Sequence, residues 1–349
     1  MDLLKKLFRV LLIICIFFAI NIPVFAGFHL VDKDFGFNPV LMNDYKIYDM
    51  GGWDNLKKKM TPVKIYDLKT KKKIVTNVVM SFPKYGYQCV KLNNSEILVF
   101  GGLGHPKDRT IYKAEIFNIN SEKFTPVGNT NFEHSACDVI RFDNGYILIV
   151  DAIKNIEIFN PVTKTFQIVG KESRKLLNGI RTCEAIKLDD NRAIIVGYYG
   201  YPERSKVFIY DLAEDTFTSG GRLLYTRLHP ALSLLNDGRV LVSGGWDKTA
   251  EIYSPSSQQS VLTGNLKKER RQNHAITLPN GKVLVINGIS GNDETLRKQK
   301  SAEIYNPKTG KFKYIGKTYG TRNFYIKSEI LDSKKVLLLG EYVIEIYKL

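Results

Sequence analysis

One short phrase recurs seven times along this chain and limits what it can fold into. It reads KIYDL at Lys64, EIFNI at Glu115, EIFNP at Glu157, FIYDL at Phe208, EIYSP at Glu251, EIYNP at Glu303 and EIYKL at Glu345. The aromatics Tyr66, Phe117, Phe159, Tyr210, Tyr253, Tyr305 and Tyr347 are spaced by 51, 42, 51, 43, 52 and 42 residues. Such a period marks a repeat architecture, is too long for most helical hairpins, and suits a unit of several short strands.

Within a unit the local signals agree. Residues 274 to 316 run through "HAITL", the turn "PNG", "KVLVING", "AEIYN", the hairpin turn "PKTG" and "KFKYIG". Alternation, β-branched residues and Gly/Asn/Asp turns predict four strands with tight connections. The same ending returns as "KFTPVG", "TFQIVG" and "TFTSGG". The second strands (EILVFGG, YILIVDA, RAIIVGY, RVLVSGG, KVLVING, KVLLLGE) are apolar throughout, as expected of a sheet packed on both faces. No stretch reads as an amphipathic helix, so the expected class is all-β: a seven-bladed β-propeller with four strands per blade.

The motifs go further. Arg271 to His274 gives an R-x-x-H-like entry; Gly244-Gly245, Tyr253 and Phe312 supply a double glycine, a third-strand aromatic and an aromatic opening the fourth strand. In these features the chain resembles the kelch-repeat, galactose-oxidase-like propellers over nearly its whole length after residue 26. It departs from them where the double glycine becomes Asp151-Ala152, Gly197-Tyr198, Asn287-Gly288 and Gly340-Glu341, and where Phe replaces the fourth-strand Trp.

The seventh unit ends at Leu349 with three strands, and an open sheet edge invites pairing with other chains. "FHLVDKD" (Phe28 to Asp34) is expected to supply the missing strand. The alternative is a loose segment over Phe28 to Phe37 and an incomplete last blade. Residues 1–26 have a basic start, an apolar core and the small-residue exit Val24-Phe25-Ala26 of a secretory signal. The run Leu7 to Phe25 is also near the length of an uncleaved anchor. Either way the propeller, residues 27–349, is expected to be exported, whether secreted, periplasmic or at the cell surface, as a monomer.

The chain carries a net charge of +16, of which residues 1–26 account for +2. Such a field favours acidic partners: an acidic glycan, an anionic cell-envelope polymer or an acidic protein surface. Nucleic acid is not expected for an exported protein. Lysine-rich loops such as Lys57 to Lys59 and Lys71 to Lys73 also suit a merely solvated surface.

Cys89, Cys137 and Cys183 fall in innermost strands, the last two at equivalent positions of adjacent blades. Equivalent inner-strand residues lie too far apart for easy bridging, so free thiols acting as small core residues are expected. The resemblance brings a copper site to mind, because galactose oxidase holds copper with Tyr and His ligands and a Cys-linked Tyr. That set does not map onto this sequence. His134, His229 and His274 enter the first strands of blades three, five and six without a close-spaced acid partner, so neither metal nor cofactor is expected.

Recognition is expected on the face that carries the loops between second and third strands and those entering each blade, where 51–62, 101–113, 197–206 and 287–301 are long. Arg181, Arg227, Arg271 and Arg322 stand at nearly matching positions in the entering loops. Guanidinium groups clamp carboxylates, sulfates or phosphates. Trp53, Trp246, Tyr198, Tyr199 and Tyr225 stand beside them, with His229 and His274 at the strand entries. The reading is a non-catalytic binding protein using this face. A carbohydrate-active enzyme, such as a sugar-isomerising propeller with acids and bases gathered from several blades, and an envelope scaffold remain open.

Overall fold

The structure, a computed structural model, describes residues 27–33, 35, 36, 38–54, 57–104, 112–134, 137–151, 155–291, 296–320, 326–340 and 342–349. The leader sequence at residues 1–26 and Arg322 lie outside these residues. Seven four-stranded antiparallel sheets make up the ring. Blade 3 shows the plan, with strands Cys137–Arg141, Ile147–Asp151, Ile156–Asn160 and Thr165–Ile168 paired in chain order from the channel outward. No described helix is long and apolar enough to cross a membrane.

The second strands bind neighbouring blades together. Strand side chains alternate between faces, so Ile147 and Ile149 pack with Leu98, Phe100 and Ile116 of blade 2, while Leu148 and Val150 pack with Ala193, Ile195 and Phe208 of blade 4. All four are almost fully buried, each worth roughly 1.5–3 kcal/mol of apolar burial. Farther out, the aromatic of the repeat phrase meets the aromatic of the fourth strand directly across the ladder. Phe117 and Phe124, Phe159 and Phe166, Tyr210 and Phe217, and Tyr305 and Phe312 stand 4.7 to 5.0 Å apart, centre to centre.

Blade 7 closes with a strand from the other end of the chain. Gly27–Asp32 pairs antiparallel with Val343–Lys348, and Phe28 lies opposite Tyr347 with the rings 5.0 Å apart. Phe28 thus completes the same aromatic pair that blades 2, 3, 4 and 6 make locally, whereas Tyr66 of blade 1 faces Lys73 and Tyr253 of blade 5 faces Ser260.

The repeat phrase has a second function at its first residue. Glu115, Glu157, Glu251, Glu303 and Glu345 are wholly buried. Each accepts hydrogen bonds from backbone N–H groups of the loop entering its blade: Ser81 at 3.0 Å, Asn131 at 2.9 Å, Leu224 at 2.7 Å, Lys267 at 2.7 Å and Tyr319 at 3.0 Å. Three residues beyond that N–H comes a cation. His134 Nε2 lies 2.6 Å from Glu157, Arg227 Nε donates to Glu251 at 2.6 Å, and Arg270 Nη2 donates to Glu303 at 2.6 Å. In blade 2 the position belongs to Lys84, fully buried, whose ammonium donates to the Lys113 carbonyl at 2.8 Å. Burial brings its pKa down to about 8, against the charge of Glu115. The double glycine makes room for this latch: a Cβ at Gly245 would come within 2.8 Å of Arg227 Cβ, and one at Gly244 within 2.4 Å of the Arg270 carbonyl oxygen.

Candidate active site

The first strands of all seven blades surround a central cavity of about 590 Å³. Ladder register places Gln88, Asp138, Glu184, Ala231, His274 and Lys327 at one level, opposite Phe100, Val150, Val196, Ser243, Ile286 and Leu339. Asn38 joins them by donating to Gln88 Oε1 at 2.9 Å. Six of these seven residues are polar, and all seven line the cavity. The level lies near the starts of the first strands, so the site is closest to the face that bears the entering loops.

Two carboxyls meet across the seam between blades 3 and 4. Asp138 Oδ2 accepts the Ala185 N–H at 2.5 Å, which sets the Asp138 carboxyl beside Glu184, the residue just before Ala185, near enough for each to perturb the other's titration. Two carboxyl groups so placed share a proton, because both cannot ionise together in an enclosed site. Burial pushes Glu184 up to about 8; burial, then the charge of Glu184, holds Asp138 far above the ordinary carboxylate range. The Glu184 side chain keeps 26% of its surface, exposure the channel supplies.

Behind Glu184 stands His229 of the loop entering blade 5, with Nδ1 2.6 Å from Glu184 Oε1. Burial lowers its pKa against the charge of Asp138, leaving a neutral imidazole. The backbone at His229 has φ of 49°, and its carbonyl accepts the Gln272 N–H at 2.8 Å, which fixes an otherwise unfavourable left-handed conformation. The result is a linear array, Asp138 to Glu184 to His229, able to hold, give and take a proton.

The rest of the ring supplies hydrogen bonding. His274 Nε2 lies 2.7 Å from Ser328 Oγ. Lys327 of blade 7 reaches the Cys89 carbonyl of blade 2 at 2.5 Å, its pKa lowered by burial. The three cysteines are free. Burial pushes Cys89 up to about 12 and raises Cys137 and Cys183 as well, so they remain neutral thiols.

The expected arginine ring takes a different form. Arg227 is only 1% exposed; besides Glu251 its guanidinium donates to the Gly244 carbonyl at 2.6 Å and the Thr249 carbonyl at 3.1 Å. A guanidinium so used inside the wall cannot clamp a ligand from solution. Arg271 is one position past the latch, 7% exposed, its guanidinium 4.6 Å from the centre of the Trp246 ring. Arg181 occupies that same position in blade 4 and is exposed beside Gly200. Arg227 on the one hand and Arg181 and Arg271 on the other therefore come from two registers and do not form one ring.

The aromatics are also dispersed. Trp53 sits in a small hairpin of the 51–62 loop, opposite Met60. Trp246 is 44% exposed and Tyr225 42%. Tyr198 ends the second strand of blade 4 opposite Thr182. Tyr199 packs against the core with the Lys206 ammonium 3.9 Å over its ring. Of the residues expected to bind, His274 lines the cavity and His229 adjoins it. Asp138, Glu184 and Lys327 were not anticipated. The available signal was their place in otherwise apolar first strands, where Asp138 and Glu184 directly follow the equivalent Cys137 and Cys183.

The ring of seven four-stranded blades is a seven-bladed β-propeller. A fungal alcohol oxidase of the AA5 family, solved in complex with copper, is similar with a TM-score of 0.67 and 14% identity, over 94% of this chain and 76% of that one. No family model matches the sequence, and no curated protein matches it. At this identity the likeness concerns the fold. It nevertheless removes the ground for expecting a non-catalytic propeller, since the fold is used by an oxidase, and the buried Arg227 removes the binding face as it was drawn. The channel donors do not fit copper. His229 is held by Glu184 and His274 by Ser328, no tyrosine lines the cavity, and no metal-holding group of three His, Cys, Asp or Glu occurs among the described residues.

Proposed function

We propose that this protein is an enzyme performing acid–base isomerisation on a cyclic sugar or similar hydroxylated molecule held in the central channel. The observation that carries this reading is the Asp138–Glu184 pair, two carboxyl side chains brought together across a blade seam at the wall of a 590 Å³ cavity. One carboxyl protonates the ring oxygen while its partner takes the proton of the anomeric hydroxyl, opening the ring to the carbonyl form. Closure on the other face reverses both transfers and returns the pair to its starting state. His229 orients Glu184, and the donors and acceptors of Asn38, Gln88, His274 and Ser328 suit a polyol. The kelch-like repeat and export through the leader at residues 1–26 belong to the same proposal.

Anomeric exchange followed by NMR over a panel of neutral and acidic sugars tests this. Asp138→Asn and Glu184→Gln are each expected to slow exchange by about 100-fold or more. The rate should rise with pH through about 8, where Glu184 gives up its proton and the pair, with Asp138 still protonated, comes to hold one. A panel with no accelerated sugar, or a rate indifferent to both substitutions, removes this reading.

A further inference from the structure

The propeller has a second face, formed by the turns between first and second and between third and fourth strands, and its charge is unevenly distributed. Gly27 lies on it, because it pairs with Lys348 at the far end of the strand that leaves the mouth-side face at Val343. Directly before Gly27 runs the apolar sequence Leu7 to Phe25. Around this entry point, turns of blades 1 and 7 present Lys69, Lys71, Lys72, Lys334 and Lys335, all exposed. Asp332 pairs with Lys335 at 3.1 Å, and Asp67 spends one oxygen on the N–H groups of Lys69 and Thr70 in its own turn. The excess is positive.

Apolar side chains accompany the lysines. Leu30 of the closing strand is 40% exposed, and Ile74 and Val75 on the outer strand of blade 1 are 50% and 59% exposed. Blades 7 and 1 are tied together here by Lys73 and Asp32 at 3.0 Å. Across the same face, the turns of blades 3 and 4 carry Asp143, Asp189, Asp190 and Glu214, the first and third paired with Lys187 and the second with Arg192, so no comparable positive excess stands there. A body whose basic and apolar groups gather at one edge takes up a preferred orientation on a charged surface.

We propose that the edge formed by blades 7 and 1 docks onto an anionic lipid bilayer. The lysines meet the headgroups, Leu30, Ile74 and Val75 enter the interfacial layer, and the channel mouth opens away from the membrane. Basic residues beside an apolar element are the combination that holds proteins at anionic membranes, each lysine near the surface being worth about fivefold in binding. Gly27, which follows the apolar sequence Leu7 to Phe25, lies on this same face.

Sedimentation of residues 27–349, which contain every strand of the ring, with vesicles of phosphatidylglycerol and phosphatidylcholine or of phosphatidylcholine alone tests the surface. Binding is expected to the anionic vesicles only and to weaken with salt. Lys69→Glu/Lys72→Glu/Lys334→Glu should reduce it by about 100-fold, and Ile74→Ser/Val75→Ser by a smaller factor, with the circular dichroism of both unchanged. Equal binding to both vesicles overturns the proposal. So does loss with Lys267→Glu/Lys298→Glu/Lys300→Glu on the other face instead, or capture by soluble polyphosphate without vesicle binding.

Discussion

Blades 4 and 5 make the same joint with opposite chemistry. In blade 5 Arg227 and Glu251 form a buried pair at 2.6 Å. In blade 4 the matching positions hold Ile180 and Phe208, 5% and 3% exposed and packed in one apolar cluster. Both anchor the entering loop to the third strand. Charge is therefore not required for this joint, yet once one charged partner is present the other becomes obligatory. A buried ion pair is a weak source of net stability compared with an apolar replacement, whereas half of one is strongly destabilising.

The largest test separates these statements. Arg227→Leu leaves Glu251 enclosed with only the Leu224 N–H at 2.7 Å, and should cost about 3–5 kcal/mol in urea unfolding. Arg227→Ile/Glu251→Phe, the blade 4 solution placed in blade 5, should recover most of that loss. A double variant as unstable as the single one would show that the two blades are not interchangeable. The converse change, Ile180→Arg, buries a charge against Phe208 and should cost a comparable amount, with partial recovery on adding Phe208→Glu.

How far the sequence could be read follows from what repeats and what does not. The phrase around Glu303 and Tyr305 recurs because packing demands it in nearly every blade, and ring, blade count and the closing role of Phe28 were all legible from that recurrence. The channel site is not repeated. Asp138 and Glu184 lie far apart along the chain and meet only across a blade seam, so no local spacing marks them as a pair. The arginines were misread for a narrower reason. Arg270 and Arg271 are adjacent, and only the hydrogen bond from Arg270 to Glu303 shows which one shares the register of Arg227.

Blade 3 sharpens the comparison by making the latch titratable. Burial opposes the charged form of His134, but hydrogen bonds and charges of Asp151 and Glu157 carry its pKa above the ordinary imidazole value. A raised folded-state pKa contributes stability that is fully present below the unfolded value near 6.5 and is lost as pH rises through the folded one. Urea midpoints should therefore fall from pH 6 toward alkaline pH, and His134→Gln should flatten that part of the profile. Blades 4 and 5 have no histidine in the latch, so Arg227→Ile/Glu251→Phe should leave this slope intact. A slope unchanged by His134→Gln would assign it to another group.

The smallest effect belongs to neighbouring arginines of blade 6. Arg270 donates to Glu303 at 2.6 Å and to the Asn287 and Ser301 carbonyls at 3.0 Å, and its removal should cost as much as that of Arg227. Arg271 instead stacks on Trp246, whose ring is nearly half exposed. Such a contact is worth about 0.5–1 kcal/mol, so its loss in Arg271→Ala should contribute about 0.5–1 kcal/mol to any change in the unfolding free energy. It should also alter the fluorescence of Trp246, which Arg270→Ala at low denaturant should not do while the fold persists. Equal losses from the two substitutions would mean that the latch extends over both residues, and that the register separating Arg227 from Arg271 is less sharp than the hydrogen bonds indicate.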